Sequence, residues 1–138
     1  MLKYDAIAIG TGSAMNIVEA MLRKGNLRIA VIDKDEPGGI CLTRGCIPTK
    51  NLLYPAELVR ILEKSGEFGI DAKIEKINFN KVMEKMHSVI NPSIGMIKKG
   101  LSSSPNIDYY QEIAEFIAED MLQLNTATSS QVWAQKLP

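Results

Sequence analysis

The stretch "YDAIAIGTGSAMNIVEAMLRKGNLRIAVID", residues 4–33, sets the fold. It opens on a short apolar run that ends in glycine. Ala14, Ile17, Val18, Met21 and Leu22 then recur at helical spacing, and a second apolar run, "LRIAVID", closes it. Strand, glycine turn, helix and strand in that order make a βαβ unit, which predicts an α/β chain of Rossmann-like type.

The turn in that unit carries the first chemistry. Gly10 permits the tight turn, and Gly12 lets a pyrophosphate approach the backbone, where Ser13 and Ala14 begin the helix and its dipole favours the anion. The third glycine of the usual fingerprint is Met15 here, which loosens the match. Asp33 at the end of the second strand partly restores it, because an acid there can accept hydrogen bonds from an adenosine ribose. Lys and Arg number 16, as do Asp and Glu, with no long block of either sign. Nothing in that balance points to nucleic acid or an anionic membrane, so a phosphate ligand has to be held locally by backbone groups.

Further along, helices are predicted from near Pro48 to about "SGEFG", with Leu52, Leu53, Ala56, Val59 and Leu62 on one face, and from after Asn78, defined by Phe79, Val82, Met83, Met86, Val89 and Ile90. Pro55 is expected to bend the first, and Pro92 to kink or stop the second. "IDYYQ", "IAEFIAE" and "MLQLN" read as three strands of a small β-meander. The tail, 126–138, is polar and without period, and is expected to be disordered or loosely docked, so that its deletion is nearly neutral. Residues 1–125 form the predicted domain. The N-terminus shows no cleavage site and no span of about 20 apolar residues, which predicts an unexported, cytoplasmic protein without a membrane segment.

The chain's only two cysteines lie in "GGICLTRGCIPTK", residues 38–50. Leu42, Thr43, Arg44 and Gly45 separate Cys41 from Cys46, a span that can close a small disulfide loop if the backbone curls. Pro48 can start a helix, which puts Cys46 at a helix N-terminus, and Lys50 follows one turn later. Dipole and lysine together would lower the pKa of Cys46 and hold a thiolate ready for electron exchange. A pair of buried free cysteines is the plainer alternative. Zinc fits poorly, since His87 is the only other soft ligand and no metal site is expected.

This segment closely resembles the redox-disulfide motif of the flavin-dependent pyridine nucleotide–disulfide oxidoreductases, in the form shared by dihydrolipoamide dehydrogenase and mercuric reductase. The resemblance runs from about residue 3 to about residue 125. It implies an N-terminal FAD-binding domain, with FAD extended along the βαβ unit. Cys46 is then the thiol nearest the flavin, Cys41 the interchange thiol that attacks the substrate, and Lys50 a neighbour of the flavin ring. Asp33 would take the ribose and the Ala114 backbone the adenine, with Gly10, Gly12, Ser13, Ala14, Lys34, Gly39, Ile40 and Gly45 completing the cofactor-binding set. The implied partners are FAD and a disulfide substrate such as lipoamide.

Asp33 stands where the family commonly has glutamate, Ile40 where threonine is common, and Glu112 where glycine is usual. Members of the family are much longer. They continue into a second FAD segment, an NAD(P)-binding domain and a dimerisation domain, and no second GxGxxG occurs here. The alternative expectation is therefore a truncated or split product that binds nucleotide weakly without turnover, or that works with a second chain carrying the missing domains. His87 is read as a surface or boundary residue, and Met83, Met86 and Met96 as core and gap filling. Lys98 and Lys99 are read as a solvated helix end, and Tyr109 with Tyr110 as a strand pair of which one faces inward.

Overall fold

The first apolar run breaks at Asp5. The computed structural model of the chain describes residues 2–125 and 131–134. Leu2–Tyr4 forms strand β1 and Ala6–Ile9 forms strand β2. Between them the Asp5 N–H donates to the Arg28 carbonyl at 2.9 Å, and the Arg28 N–H donates to Asp5 Oδ2 at 2.7 Å. This tie satisfies the interrupted backbone and lets β1 enter a different sheet from β2.

Helix α1 is Met15–Lys24, β3 is Ile29–Ile32, and α2 is the short Gly39–Thr43. Then come α3, Cys46–Glu63, a 3₁₀ turn at Ser65–Phe68, and α4, Phe79–Ser103. Strands β4 (Ile107–Tyr110), β5 (Ala114–Ala118), β6 (Met121–Leu124) and β7 (Gln131–Ala134) complete the order. The chain divides into two compact units, residues 1–39 with 94–138, and residues 40–93.

In the first unit β2, β3 and β4 form a parallel sheet with β3 in the middle. Because side chains alternate across a strand, Ile29 and Val31 face Val18 of α1 and Leu101 of α4, with Met21, Leu22 and Ile97 around them. Ala30 and Ile32 face the other way and pack with Tyr4, Leu122 and Leu124. All four β3 residues are buried, as a strand covered on both faces requires. The covering also explains Tyr109 and Tyr110. Both are inward, one against each core cluster, rather than only one as the alternation predicts for a one-sided sheet.

The second sheet runs β1-β7-β6-β5, with β1 and β7 parallel and the other neighbours antiparallel. The meander is thus β5, β6 and β7. "IDYYQ" belongs instead to the parallel sheet, since the crossover through α4 delivers β4 beside β3. The tail expectation also changes at Gln131–Ala134, which is a strand, with the β-branched and aromatic pair Val132–Trp133 supplying strand propensity. Residues 126–130 and 135–138 lie outside the described residues. Since β7 pairs with three residues of β1 and three of β6, deleting 126–138 is expected to lower stability by at least about 1.5 kcal/mol in urea unfolding. A midpoint equal to that of the full chain would return these residues to the status of a loose tail.

Tyr4 joins the two sheets. Its hydroxyl donates to Asp108 Oδ2 at 2.7 Å and so accepts from the Tyr110 hydroxyl, while the Arg28 guanidinium binds Asp108 at 2.7 Å and lies 4.9 Å over the Tyr4 ring. Burial, then the bonds to Tyr110 and Asp108, hold the Tyr4 hydroxyl well above the ordinary phenol range.

In the second unit α3 starts at Cys46 and runs through Pro55, and α4 starts after Asn78, whose Oδ1 accepts the Lys81 N–H at 3.2 Å. Pro92 does not stop α4. The inward face of α3 is Pro48, Leu52, Pro55 and Val59, so Leu53, Ala56 and Leu62 of the expected face are exposed. Prolines carry half of that face, and a hydrophobic-period count that passes over proline misplaces it. On α4 Met86 and Ile90 are buried, whereas Met96 and His87 are exposed. Met96 is therefore not a core residue. Among the described residues no helix is long and apolar enough to cross a membrane.

Candidate functional site

Gly10 ends β2 with φ +93°, and its N–H donates to the Ile32 carbonyl at 2.7 Å, so the turn stays tied to β3 as it leaves the sheet. The next turn is tight, with the Met15 and Asn16 N–H groups reaching the Gly12 and Ser13 carbonyls at 3.1 and 3.2 Å. The N–H groups of Gly12, Ser13 and Ala14 have no hydrogen-bond partner among the described residues. They sit at the N-terminus of α1, where backbone donors and the helix dipole both favour an anion.

Opposite this turn runs the segment after β3. Asp33 Oδ2 accepts from the Thr11 N–H at 2.8 Å and from the Thr11 hydroxyl at 2.5 Å, and Asp33 Oδ1 accepts the Asp35 N–H at 3.1 Å. Thr11 Oγ1 in turn accepts the Gly38 N–H at 2.9 Å. Gly39, at φ +69°, packs so closely on the turn that a Cβ there would lie 2.5 Å from Gly12 Cα and 3.1 Å from Gly12 N. A Cβ on Gly12 would instead meet only Gly39 Cα, at 3.6 Å. The walls of this cradle are therefore backbone. Tyr109 is near enough that Asp33 and Glu36, after burial itself, help to raise its hydroxyl pKa, and that buried hydroxyl has no partner among the described residues.

The thiols form the site of the other unit. Cys41 lies within α2 and Cys46 opens α3, and both are exposed and free. Gly45 joins the two helices. A Cβ on it would lie 2.9 Å from the Ile40 carbonyl oxygen and 3.4 Å from Cys41 Cα, so only glycine lets the turns close this far. The Arg44 N–H returns to the Ile40 carbonyl at 2.9 Å and the Thr49 N–H to the Gly45 carbonyl at 3.0 Å. The two thiols lie near enough to interact, and hydrogen bonding toward Cys46 is the main cause of a raised Cys41 pKa, with desolvation and the Cys46 charge adding to it, and the Cys46 N–H and Lys50 opposing it. Among the described residues no cluster of three or more His, Cys, Asp or Glu could hold a metal.

Vicinal thiols opposed across a glycine turn, in a chain that also carries a nucleotide-type turn, have counterparts in known proteins. No protein-family model matches the chain. Mycothione reductase of Mycobacterium tuberculosis is 34% identical to it over 116 residues, which are 84% of this chain and 25% of that protein. Dihydrolipoyl dehydrogenase of Mycoplasma pneumoniae is 34% identical over 104 residues, 75% of this chain and 23% of the relative. Among solved structures, the Cu(II) complex of the HOCl-induced flavoprotein disulfide reductase RclA from Escherichia coli covers 97% of the chain with a TM-score of 0.71 at 26% identity. The chain belongs to the flavoprotein disulfide reductase family. It spans about a quarter of the length of the curated relatives it matches.

As a chain of the flavoprotein disulfide reductase family, it distributes the sequence-predicted residues unevenly. The structure brings Gly12 to Gly39 in one unit and Cys41, Gly45 and Cys46 together in the other. Ser13, Lys34, Ile40 and Lys50 are exposed, and Ala14 is half-buried. Ala114 pairs in register with Leu124 and packs on the Tyr4 cluster. Sequence reasoning gave Thr11 no role. The signal for Thr11 was its place between Gly10 and Gly12 with a short acid at 33, which a hydroxyl can reach.

Proposed function

We propose that the chain is the FAD-binding part of a disulfide oxidoreductase similar to dihydrolipoyl dehydrogenase, passing electrons between NAD(P)H, FAD and the Cys41–Cys46 pair, and so to lipoamide or a similar disulfide. The observation that carries this reading is the pair of free, exposed thiols brought together by the close turn at Gly45. The backbone walls at Gly12 and Gly39 support the dinucleotide part of the reading. The floor between them has no side chain, and three N–H groups at a helix start are free among the described residues to bind phosphate oxygens. Bound FAD would supply two-electron transfer to the sulfurs. Gly10, Gly12, Ser13 and Ala14 would hold its pyrophosphate, Asp33 and Lys34 would lie toward the adenosine ribose, and the Ala114 backbone toward the adenine. Gly39, Ile40, Gly45, Cys46 and Lys50 would complete the flavin side.

The chain's own sulfur chemistry balances without further groups. One thiolate of the pair attacks a substrate disulfide, forming a mixed disulfide and releasing one substrate thiolate. The second thiolate then attacks the mixed disulfide and releases the other. Two cysteine thiols become one disulfide, two substrate thiols leave, and the two cysteine protons pass to them. Renewing the thiols would take two electrons, which a bound, reduced FAD would supply, and two protons.

A second reading rests on the chain's quarter share of its relatives' length: nucleotide binding that is modest, with no turnover by the chain alone. Equilibrium dialysis tests the common core of both. Wild-type chain is expected to bind FAD at least about tenfold more tightly than Gly12→Asp, in which a carboxylate occupies the pyrophosphate approach. Equal binding by the two chains would falsify the cradle assignment. Steady NADPH- or NADH-dependent reduction of lipoamide by the chain alone selects the first reading over the second.

A further inference from the structure

The acid that ends β3 is already engaged. A carboxylate offers about four lone-pair places, two on each oxygen. The Thr11 N–H and hydroxyl take both on Asp33 Oδ2, and the Asp35 N–H takes one on Oδ1. Thr11 itself is 3% exposed, and its hydroxyl is spent in both directions, donating to Asp33 and accepting from the Gly38 N–H. The residue after Gly38 is Gly39, which lies against Gly12. One buried hydroxyl therefore ties the glycine turn, the strand-end acid and the loop that forms the opposite wall.

We propose that Thr11 is the positioning residue of the nucleotide cradle, and that by holding Asp33 it leaves that carboxylate a single acceptor place, for one ribose hydroxyl rather than two. The proposal rests on the nucleotide reading above and deepens it. Thr11 sets the spacing of the two backbone walls and restricts how Asp33 can be used. Valine has the shape of threonine without the hydroxyl, so Thr11→Val leaves the Gly38 N–H without its acceptor and frees one place on Asp33, whereas Thr11→Ser keeps both bonds.

The test uses the full chain with ADP as probe, together with amide exchange at Gly38 without nucleotide. Thr11→Val is expected to weaken ADP binding about tenfold and to speed exchange at Gly38, and Thr11→Ser to restore both to within about threefold of wild type. With wild-type chain, one of 2′-deoxy-ADP and 3′-deoxy-ADP should bind about tenfold more weakly than ADP and the other about as well. This comparison needs no variant and stands if Thr11→Val fails to fold. Equal weakening by both analogues, or by neither, overturns the single-hydroxyl assignment. Wild-type affinity in Thr11→Val despite faster Gly38 exchange overturns the positioning role and leaves the nucleotide reading intact. A wild-type chain that binds no ADP overturns that reading, and the positioning role with it.

Discussion

Replacing Gly39 by alanine is expected to lower stability by about 3 kcal/mol or more and to abolish nucleotide binding. The added Cβ would lie 2.5 Å from Gly12 Cα and 3.1 Å from Gly12 N. Both neighbours are backbone atoms, so no rotamer change relieves the clash. The residue also sits at φ +69°, where a side chain adds strain of its own. Relief requires the loop carrying Gly39 to move off the turn, which breaks the Gly38 to Thr11 bond next to it. Gly12→Ala provides the contrast. Its Cβ meets Gly39 Cα at 3.6 Å, an ordinary contact, so stability should fall by no more than about 1 kcal/mol, while the methyl group still covers the phosphate approach. Urea unfolding and FAD titration on both variants separate the two effects. Wild-type stability in Gly39→Ala would show that the close approach does not exist in solution.

The contrast between these glycines also marks how far the sequence could be read. Gly12 was legible because the strand–turn–helix pattern around it is local: β-branched residues at period two, a glycine, then apolar residues at helical spacing. The clash at Gly39 depends on two segments folding back on one another across β3, and no spacing rule reports it. Likewise Cys46 at a helix start was legible from Pro48, whereas α2 around Cys41 is a helix of one turn without a periodic signature. Partner choice was the least legible. "IDYYQ" has a strand's composition, but whether it joins β3 or a meander is fixed by the length and packing of α4, through Ile97 and Leu101. Val132 and Trp133 have strand propensity too, yet a run this short in a polar tail becomes a strand only because β1 and β6 offer edges on either side. Asp33 was found as the acid at the strand end. That its acceptor places are taken by Thr11 is a matter of ångströms.

Oxidation of the chain is expected to give one intramolecular disulfide, from which dithiothreitol releases two thiols, and Cys46→Ala abolishes it completely. The reduced pair makes a sharper prediction. In the wild-type chain Cys41 should alkylate at a higher pH than an ordinary thiol, whose pKa is about 8.5, because the hydrogen bond with Cys46 keeps the proton on it, and desolvation and the Cys46 charge add to that. Removing Cys46 removes the largest cause. Cys41 in Cys46→Ala should therefore become reactive at a lower pH than in the wild type, although a neighbouring thiol has been lost. Lys50→Met should move Cys41 the other way, since the ammonium charge is one of the groups that favour its thiolate. The same shift appears in stability. A group whose pKa is raised in the folded state stabilises the fold fully below its unfolded pKa and loses that contribution as pH rises through the folded value. Reduced wild-type chain should thus lose stability above about pH 8.5, and Cys46→Ala should lose less over the same range. Iodoacetamide labelling at graded pH, read by peptide mass, follows both cysteines at once, and urea midpoints at pH 7 and 10 follow the stability. Identical labelling curves for Cys41 in wild-type and Cys46→Ala chains would show that the thiols do not share a proton, and the redox pairing would then lack its structural basis.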